Sequence, residues 1–255
     1  MVYIGTSGWT YDHWRQRFYP PGIGRTEWLA FYAEHFRTVE INNSFYNLPS
    51  ERTLRDWRDG TPDGFLFSVK ASRYITHMKK LKDPVESVGR FMDRMRILGA
   101  KLGPVLFQLP PRWRFNRQRL ESFLTVLPPG FRYTIELRDS SWHNDVCREV
   151  LADAGVAFCI FDLEGRLSPV ETTGNFLYVR LHGPGAAAYT GSYGPDALAG
   201  WADTITAWSR RDLDVYCYFD NDQDAHAVHN ALRLKGMIDG GRIQTGSGGR
   251  FRDVP

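Results

Sequence analysis

Apolar residues along this chain follow two rhythms. Short β-branched and aromatic runs, each closed by polar residues, recur eight times. They are VYIGT from Val2, TVEIN from Thr38, FLFSVK from Phe65, PVLFQL from Pro104, YTIELR from Tyr133, VAFCIFD from Val156, FLYVRLH from Phe176 and DVYCYFD from Asp214. Such runs predict strands. Roughly twenty to forty residues separate one run from the next, which suits crossover connections better than hairpins.

The second rhythm fills most of the gaps with helical spacing. Trp28, Leu29, Tyr32 and Phe36 follow the first run, and Ser50 stands ready to cap a short helix carrying Leu54 and Trp57. Asp83-Pro84-Val85-Glu86 reads as a helix start, with a cap, a first-turn proline and a carboxylate three past the cap. Val85, Val88, Met92 and Met95 extend that helix to a glycine stop at Gly99. Leu120, Phe123, Leu124 and Leu127 follow the fourth run, and Val146, Val150 and Leu151 the fifth. Leu198, Trp201, Ile205 and Trp208 follow the seventh, and Val228, Ala231 and Leu232 the eighth. Only LEGRLSPVETTGN, after the sixth, lacks a helical pattern.

Strands alternating with helices predict an α/β protein, a (β/α)8 TIM barrel of eight parallel strands with the helix missing or short after strand six. An open doubly wound sheet is the runner-up. No G-x-G-x-x-G or P-loop follows an early strand to support it. The expected organisation is one barrel domain over residues 1–238 and a loose glycine-rich tail over 239–255.

Composition changes this picture little. The chain has 255 residues, 42% hydrophobic and 24% charged, an ordinary globular balance. No apolar run approaches the ~18–20 residues of a membrane helix, and MVYIGTSGW lacks the pattern of a signal peptide. Cys147, Cys159 and Cys217 are odd in number and far apart, so neither a disulfide framework nor a cysteine zinc site is expected. A reduced, cytoplasmic setting and no membrane partner follow as expectations. The net charge of +3 does not demand a nucleic-acid partner.

Side-chain parity at the strand ends locates the candidate chemistry. Val39 and Ile41 oppose Glu40 and Asn42, and Val69 opposes Lys70. Leu109 opposes Gln108, and Ile135 and Leu137 oppose Glu136 and Arg138. Phe161 opposes Asp162, Val179 and Leu181 oppose Arg180 and His182, and Phe219 opposes Tyr218 and Asp220. In a barrel the apolar parity packs on the helices, so the polar parity points inward at the C-terminal ends of the strands. Buried charges cost several kcal/mol each unless paired, which favours a site over a purely structural filling. A self-satisfied salt-bridge network is the bland alternative.

The loops add candidates. SGWTYDHWRQRFYPPGIG offers Trp9, Tyr11, Trp14, Phe18 and Tyr19 as an aromatic wall or as a packed rim. ASRYITHMKKLK adds Arg73 and His77. HGPGAAAYTGSYG has glycines that would bare N–H groups to an anion or form a lid. PRWRFNRQR interleaves basic and aromatic residues as nucleic-acid surfaces do.

The strand-end motifs resemble the YecE-like family, the domain of unknown function seventy-two. The resemblance runs from the first strand to the helix after the eighth. It is carried by IGTSGWTYDHW with FYP, VEINNSFYNLP, FSVKASRYITHMKKL, VLFQLPP, IELRDSSW, YVRLHG, and YFDND followed by NAL. The resemblance implies a TIM barrel with its site at the strand C-termini. It brings no substrate, reaction or cofactor.

The residues point first to an enzyme without an organic cofactor, a hydrolase, lyase or isomerase acting on a small polar or anionic ligand such as a sugar or phosphorylated metabolite. Glu136 and Glu40 are the expected acid and base, and His182 would shuttle a proton. Lys70, Arg138 and Arg180 would hold an anionic group, and Asn42, Asn43 and Gln108 would donate hydrogen bonds. Arg73, His77, Trp9, Trp142, Asp162, Tyr218 and Asp220 complete the expected ligand contacts. A metal-dependent phosphodiesterase acting on nucleic acid is the alternative. Its divalent metal would sit on Glu136, Asp162, His182 and Asp220, with Arg112–Arg119 as a strand track. A non-catalytic ligand-binding module is the third reading.

Overall fold

The computed structural model describes residues 1–246 of the chain. Eight strands lie where the apolar runs predict them: β1 Val2–Thr6, β2 Thr38–Ile41, β3 Leu66–Lys70, β4 Leu102–Gln108, β5 Tyr133–Glu136, β6 Ala157–Leu163, β7 Phe176–Leu181 and β8 Asp214–Phe219. All neighbours pair in parallel, in the order β1-β8-β7-β6-β5-β4-β3-β2. The helices are α1 Trp28–His35, α2 Glu51–Asp59, α3 Pro84–Met95, α4 Arg117–Leu124, α5 Asp145–Asp153, α6 Pro195–Ser209 and α7 His226–Gly246. No helix joins β6 to β7. Arg166–Leu167 instead folds back antiparallel on β6.

Three helices, α2, α4 and α5, begin where short polar side chains satisfy free N–H groups. Ser50 accepts from Thr53 N–H, Asn116 from Arg119 N–H and Asn144 from Cys147 N–H. Asp83 makes no such bond. It sits at a left-handed φ of +44°, and Pro84 alone starts α3. The last helix also departs from expectation. It continues to Gly246, so residues 239–246 belong to α7 and not to a tail. The remainder of the expected tail, 247–255, lies outside the described residues.

One seam closes the barrel differently from the rest. Between β1 and β2 there is a bridge at Ser7 and Glu40, and Gly8 N–H donates to Glu40 O at 2.8 Å. Below it the Tyr32 hydroxyl of α1 replaces a rung. It accepts from Thr6 N–H at 2.9 Å and donates to Thr38 O at 3.2 Å. Gly5 is required there, because a Cβ would stand 2.3 Å from Thr38 O.

Two apolar layers result. The larger lies between strands and helices and includes Ile4, Val39, Ile135, Val179, Leu198 and Val228. The smaller plugs the lower barrel with Leu106, Ala157, Cys159, Phe176, Tyr178, Tyr216 and Tyr218. The tyrosines finish this plug with their hydroxyls. Tyr218 Oη lies 2.6 Å from Thr38 Oγ1 and 2.7 Å from Ser68 Oγ. Above the plug the interior turns ionic.

Candidate functional site

Arg180 on β7 is the hub of the mouth and is wholly buried. Its Nε donates to both oxygens of Glu40 at 3.2 and 3.1 Å. Nη1 donates to Glu136 Oε2 at 2.7 Å and lies 3.4 Å from His182 Nε2. Nη2 donates to Glu40 Oε1 and Asp220 Oδ2, both at 2.8 Å, and to Ser7 Oγ at 3.3 Å. β2, β5, β7 and β8 thus meet through one guanidinium. Its planar fork of five N–H donors suits this position, where a lysine would serve fewer partners.

The carboxylates around it are held from further sides. Tyr178 Oη donates to Glu40 Oε2 at 2.6 Å, and Ser7 Oγ donates to Glu40 Oε1. Arg138 Nε donates to Glu136 Oε1 at 2.6 Å. Burial alone would push the Glu136 carboxyl up, but Arg138 and Arg180 win and hold it well below the usual carboxylate range. Asp220 is likewise lowered: burial opposes ionisation, and Arg180, then His182, outweigh it. His182 Nδ1 lies 3.1 Å from Asp220 Oδ2, off the ideal hydrogen-bonding direction.

Above this floor is a cationic rim. Lys70 ends β3, and its ammonium lies 4.5 Å from the centroid of the Phe45 ring. Among the described residues Lys70 Nζ has no hydrogen-bond or ion-pair partner. Burial, then the charge of Arg180, pushes it down to about 8 despite the nearby carboxylates. Arg138 donates Nη1 to the Tyr189 hydroxyl at 3.2 Å, while its buried Nη2 meets no partner. A π-helical turn at Tyr74–Met78 follows β3 and carries His77 to the same rim. Burial, then Lys70, Arg138 and Arg73, lowers His77 to about 4, so its imidazole is neutral. Asn42 Nδ2 reaches Asp220 Oδ1 at 3.5 Å, and its buried Oδ1 has no partner. Asn42 and the exposed Asn43 border a side cavity of about 270 Å³ with Trp9, Tyr11 and Tyr46.

The mouth therefore gathers Glu40, Asn42, Lys70, His77, Glu136, Arg138, Arg180, His182 and Asp220, with the exposed Arg73 near enough to act on His77. Gln108 ends β4 on the same parity, but its Nε2 is spent on Leu109 O at 2.7 Å.

Three expected contacts, Asp162, Tyr218 and Trp142, are placed elsewhere, and Trp9 borders the side cavity and not the mouth itself. Asp162 pairs in register with Leu181 and so faces the helix layer, where it accepts from Tyr193 Oη at 3.0 Å. Phe161, in register with Arg180, takes the inward place. β6 is apolar on both sides, so a lone polar residue could not set its parity. Tyr218 belongs to the lower plug. Trp142 is buried against Trp113 and Phe115, and Trp9 packs edge-on to Trp57. The first-loop rings Trp14 and Tyr19 are buried and packed on α1 through Trp28.

Two role assignments change as well. Arg180 cannot grip an incoming anion, because protein groups already engage all three of its nitrogens. The metal set of Glu136, Asp162, His182 and Asp220 fails on geometry. Asp162 points away, and the Arg180 guanidinium fills the point on which the carboxylates converge. Among the described residues no group of three such ligands is placed to hold a metal. Of the expected strand track, Arg117 pairs with Glu121 on the exposed face of α4. In the β7–α6 loop, Gly183 N–H is not bared to an anion. It donates to Tyr193 Oη at 3.1 Å.

Several site residues escape sequence reading. Ser7 and Tyr178 lie on the inward parity of Gly5 and Arg180, so extending the parity sort to β1 and one step down β7 finds them. Phe45 and Tyr189 come from loops and carry no such signal. The NAL motif has a structural reason: Asn230 Oδ1 accepts from Tyr193 N–H at 3.1 Å and from Asn221 Nδ2 at 3.0 Å. That pair pins the β7–α6 loop beside the mouth.

These features define a parallel (β/α)8 barrel with a buried ionic floor and a cationic rim at its strand C-termini. The chain belongs to the family described as protein of unknown function DUF72, whose model matches residues 3–247. It is similar to the UPF0759 protein YunF of Bacillus subtilis, 25% identical over 281 residues, covering 94% of this chain and 95% of that one. The UPF0759 protein YecE of Escherichia coli is 34% identical over 141 residues, 54% of this chain and 48% of that one. The crystal structure of a DUF72 family protein from Thermotoga maritima has a TM-score of 0.85 and 30% identity, covering 94% of this chain and 99% of that one. Among the described residues no helix is long and apolar enough to cross a membrane.

Proposed function

We propose that this protein is an enzyme that draws a small anionic metabolite into the barrel mouth and carries out proton-transfer chemistry there. One observation supports this most. The mouth holds three carboxylates, Glu40, Glu136 and Asp220, yet none pairs with Lys70, and Arg138 keeps a buried donor free. Unsatisfied buried donors are costly, and an anion is the group that would satisfy them. A phosphate or carboxylate placed between Lys70 and Arg138 would do so with charge-assisted hydrogen bonds.

In this reading the floor is a rigid counter-charge. Glu136 stays ionised and orients Arg138 and Arg180, and Glu40 holds Arg180 from the opposite side. Glu136 is a weak base, because its proton affinity is spent on two arginines. The proton carrier is Lys70, whose affinity lies near neutral pH. Asn42 would orient the polar body of the ligand from the side cavity.

Thermal melting in added inorganic phosphate tests this, with chloride of matched ionic strength as control. At about ten times its Kd, phosphate should add ~1.4 kcal/mol and raise Tm by about 3–5 °C. Arg138→Met should abolish the rise. A wild-type Tm that does not respond to phosphate, sulfate or small carboxylates would remove the reading.

A further inference from the structure

We propose that Lys70 is a nucleophile that condenses with the carbonyl carbon of a small anionic aldehyde, ketone or oxo acid to form an imine. The proposal rests on the anion-binding reading above and narrows its substrate class to carbonyl compounds.

The geometry singles out this lysine. Lys101 donates to Arg58 O and Thr61 O, both at 2.6 Å, and Lys235 donates to His35 O at 3.0 Å. Lys79 lies 5.8 Å from the Tyr74 ring on the outside of the rim. Lys70 alone among them stands inside the barrel mouth, at the C-terminal end of a strand, with its amine unengaged and resting on Phe45. An imine-forming amine needs to be free of a fixed protein partner, since a protein carboxylate at hydrogen-bond distance would fix the proton on nitrogen, whereas the anionic group of the substrate is held at Arg138 once its carbonyl carbon faces Nζ. The arginine hub takes up every nearby carboxylate and so prevents that pairing. Burial and the charge of Arg180 add to the effect, leaving about a tenth of Lys70 unprotonated at pH 7.

The step balances without a cofactor. Unprotonated Nζ attacks the carbonyl carbon, a C–N bond forms, and the C=O π pair moves to oxygen. The proton released by nitrogen goes to that oxygen, giving a carbinolamine. The hydroxyl takes one proton from solvent and leaves as water, and the protonated imine remains. The free Arg138 Nη2 would hold the carboxylate or phosphate of the same molecule. A protonated imine draws electrons from an adjacent C–C or C–H bond, so the reaction class is lyase or isomerase.

Reductive trapping tests this on the full chain. The protein is incubated with pyruvate or with glyceraldehyde 3-phosphate in sodium cyanoborohydride, which delivers hydride to the imine carbon, and is then mapped by peptide mass spectrometry. Lys70 should be labelled at least about ten-fold faster than any other lysine by one or both probes. Excess inorganic phosphate should suppress that labelling, and neutral acetone should label poorly. Lys70→Arg keeps the charge but should lose the adduct, whereas Lys101→Arg, away from the mouth, should keep both the Lys70 adduct and the phosphate-induced rise in Tm. Labelling spread over exposed lysines, or no adduct at Lys70 with either probe while phosphate still raises Tm, overturns the imine and leaves anion binding standing. Loss of both signals overturns both.

Discussion

At the scale of single residues, the mouth contrasts two cations. Arg180 is wholly buried and fully spent, while Lys70 is mostly buried and unspent. A buried pair is weak evidence for stability, but an unpaired buried charge is plainly unfavourable. Lys70 is therefore a local destabiliser of the fold. Its affinity for the proton is about 8 in the fold against 10.5 in an unhindered chain. Below pH 8 the ammonium is carried in both states and the fold bears the full penalty. As pH rises from 8 to 10.5 the folded amine is neutral while the unfolded one is still charged, and the penalty fades. Lys70→Met should thus raise stability by about 1–3 kcal/mol at pH 7, with the gain shrinking toward pH 10.5. Urea melts of both proteins across that range would show it. A variant less stable than wild type at pH 7 would mean that the stem's packing, and not the charge, decides.

At the scale of elements, parity is the strongest rule and also shows where it stops. Strands β2, β3, β5, β7 and β8 alternate polar and apolar residues near their C-termini, and each inward assignment to the mouth on them agrees with the structure except Tyr218, which sits one step lower. β6 does not alternate, so one aspartate was insufficient to orient it, and the register with β7 reverses the reading. The helices were legible for the same periodic reason. Asp83 illustrates the limit: its type suits a cap, but its left-handed backbone turns the side chain out of that role. The end of α7 carried no apolar stripe to extend it on paper beyond Ile238. The seam at Tyr32 was also invisible, since its hydroxyl stands in for a backbone partner across 26 residues of sequence. Tyr32→Phe should strand the buried Thr6 N–H and lower stability by about 1–3 kcal/mol. Hydrogen exchange at Thr6 should accelerate accordingly. An unchanged exchange rate would show that β1 and β2 close without the phenol.

At the scale of the whole molecule, the barrel is graded from bottom to top. Tyrosines and small apolar residues plug the base, an arginine–carboxylate hub forms the middle, and a cationic rim opens to solvent. Composition could indicate neither the grading nor the rim, because the mouth's charges nearly cancel and the net charge of +3 averages the whole surface. Position, not sum, carries the chemistry. The alternation of runs exposed the architecture, and parity exposed the location of the site. The division of labour among its charges is set by three-dimensional packing, because it depends on which carboxylate each cation reaches. The rim's free donors, Lys70 Nζ and Arg138 Nη2, are placed to bind an anion. Crystals soaked in tungstate test this binding most directly, since the heavy anion marks its own position in an anomalous difference map. A peak is expected within hydrogen-bonding distance of Arg138 Nη2 and Lys70 Nζ, displaced when phosphate is added. Peaks confined to the outer surface, with the mouth empty, would contradict it.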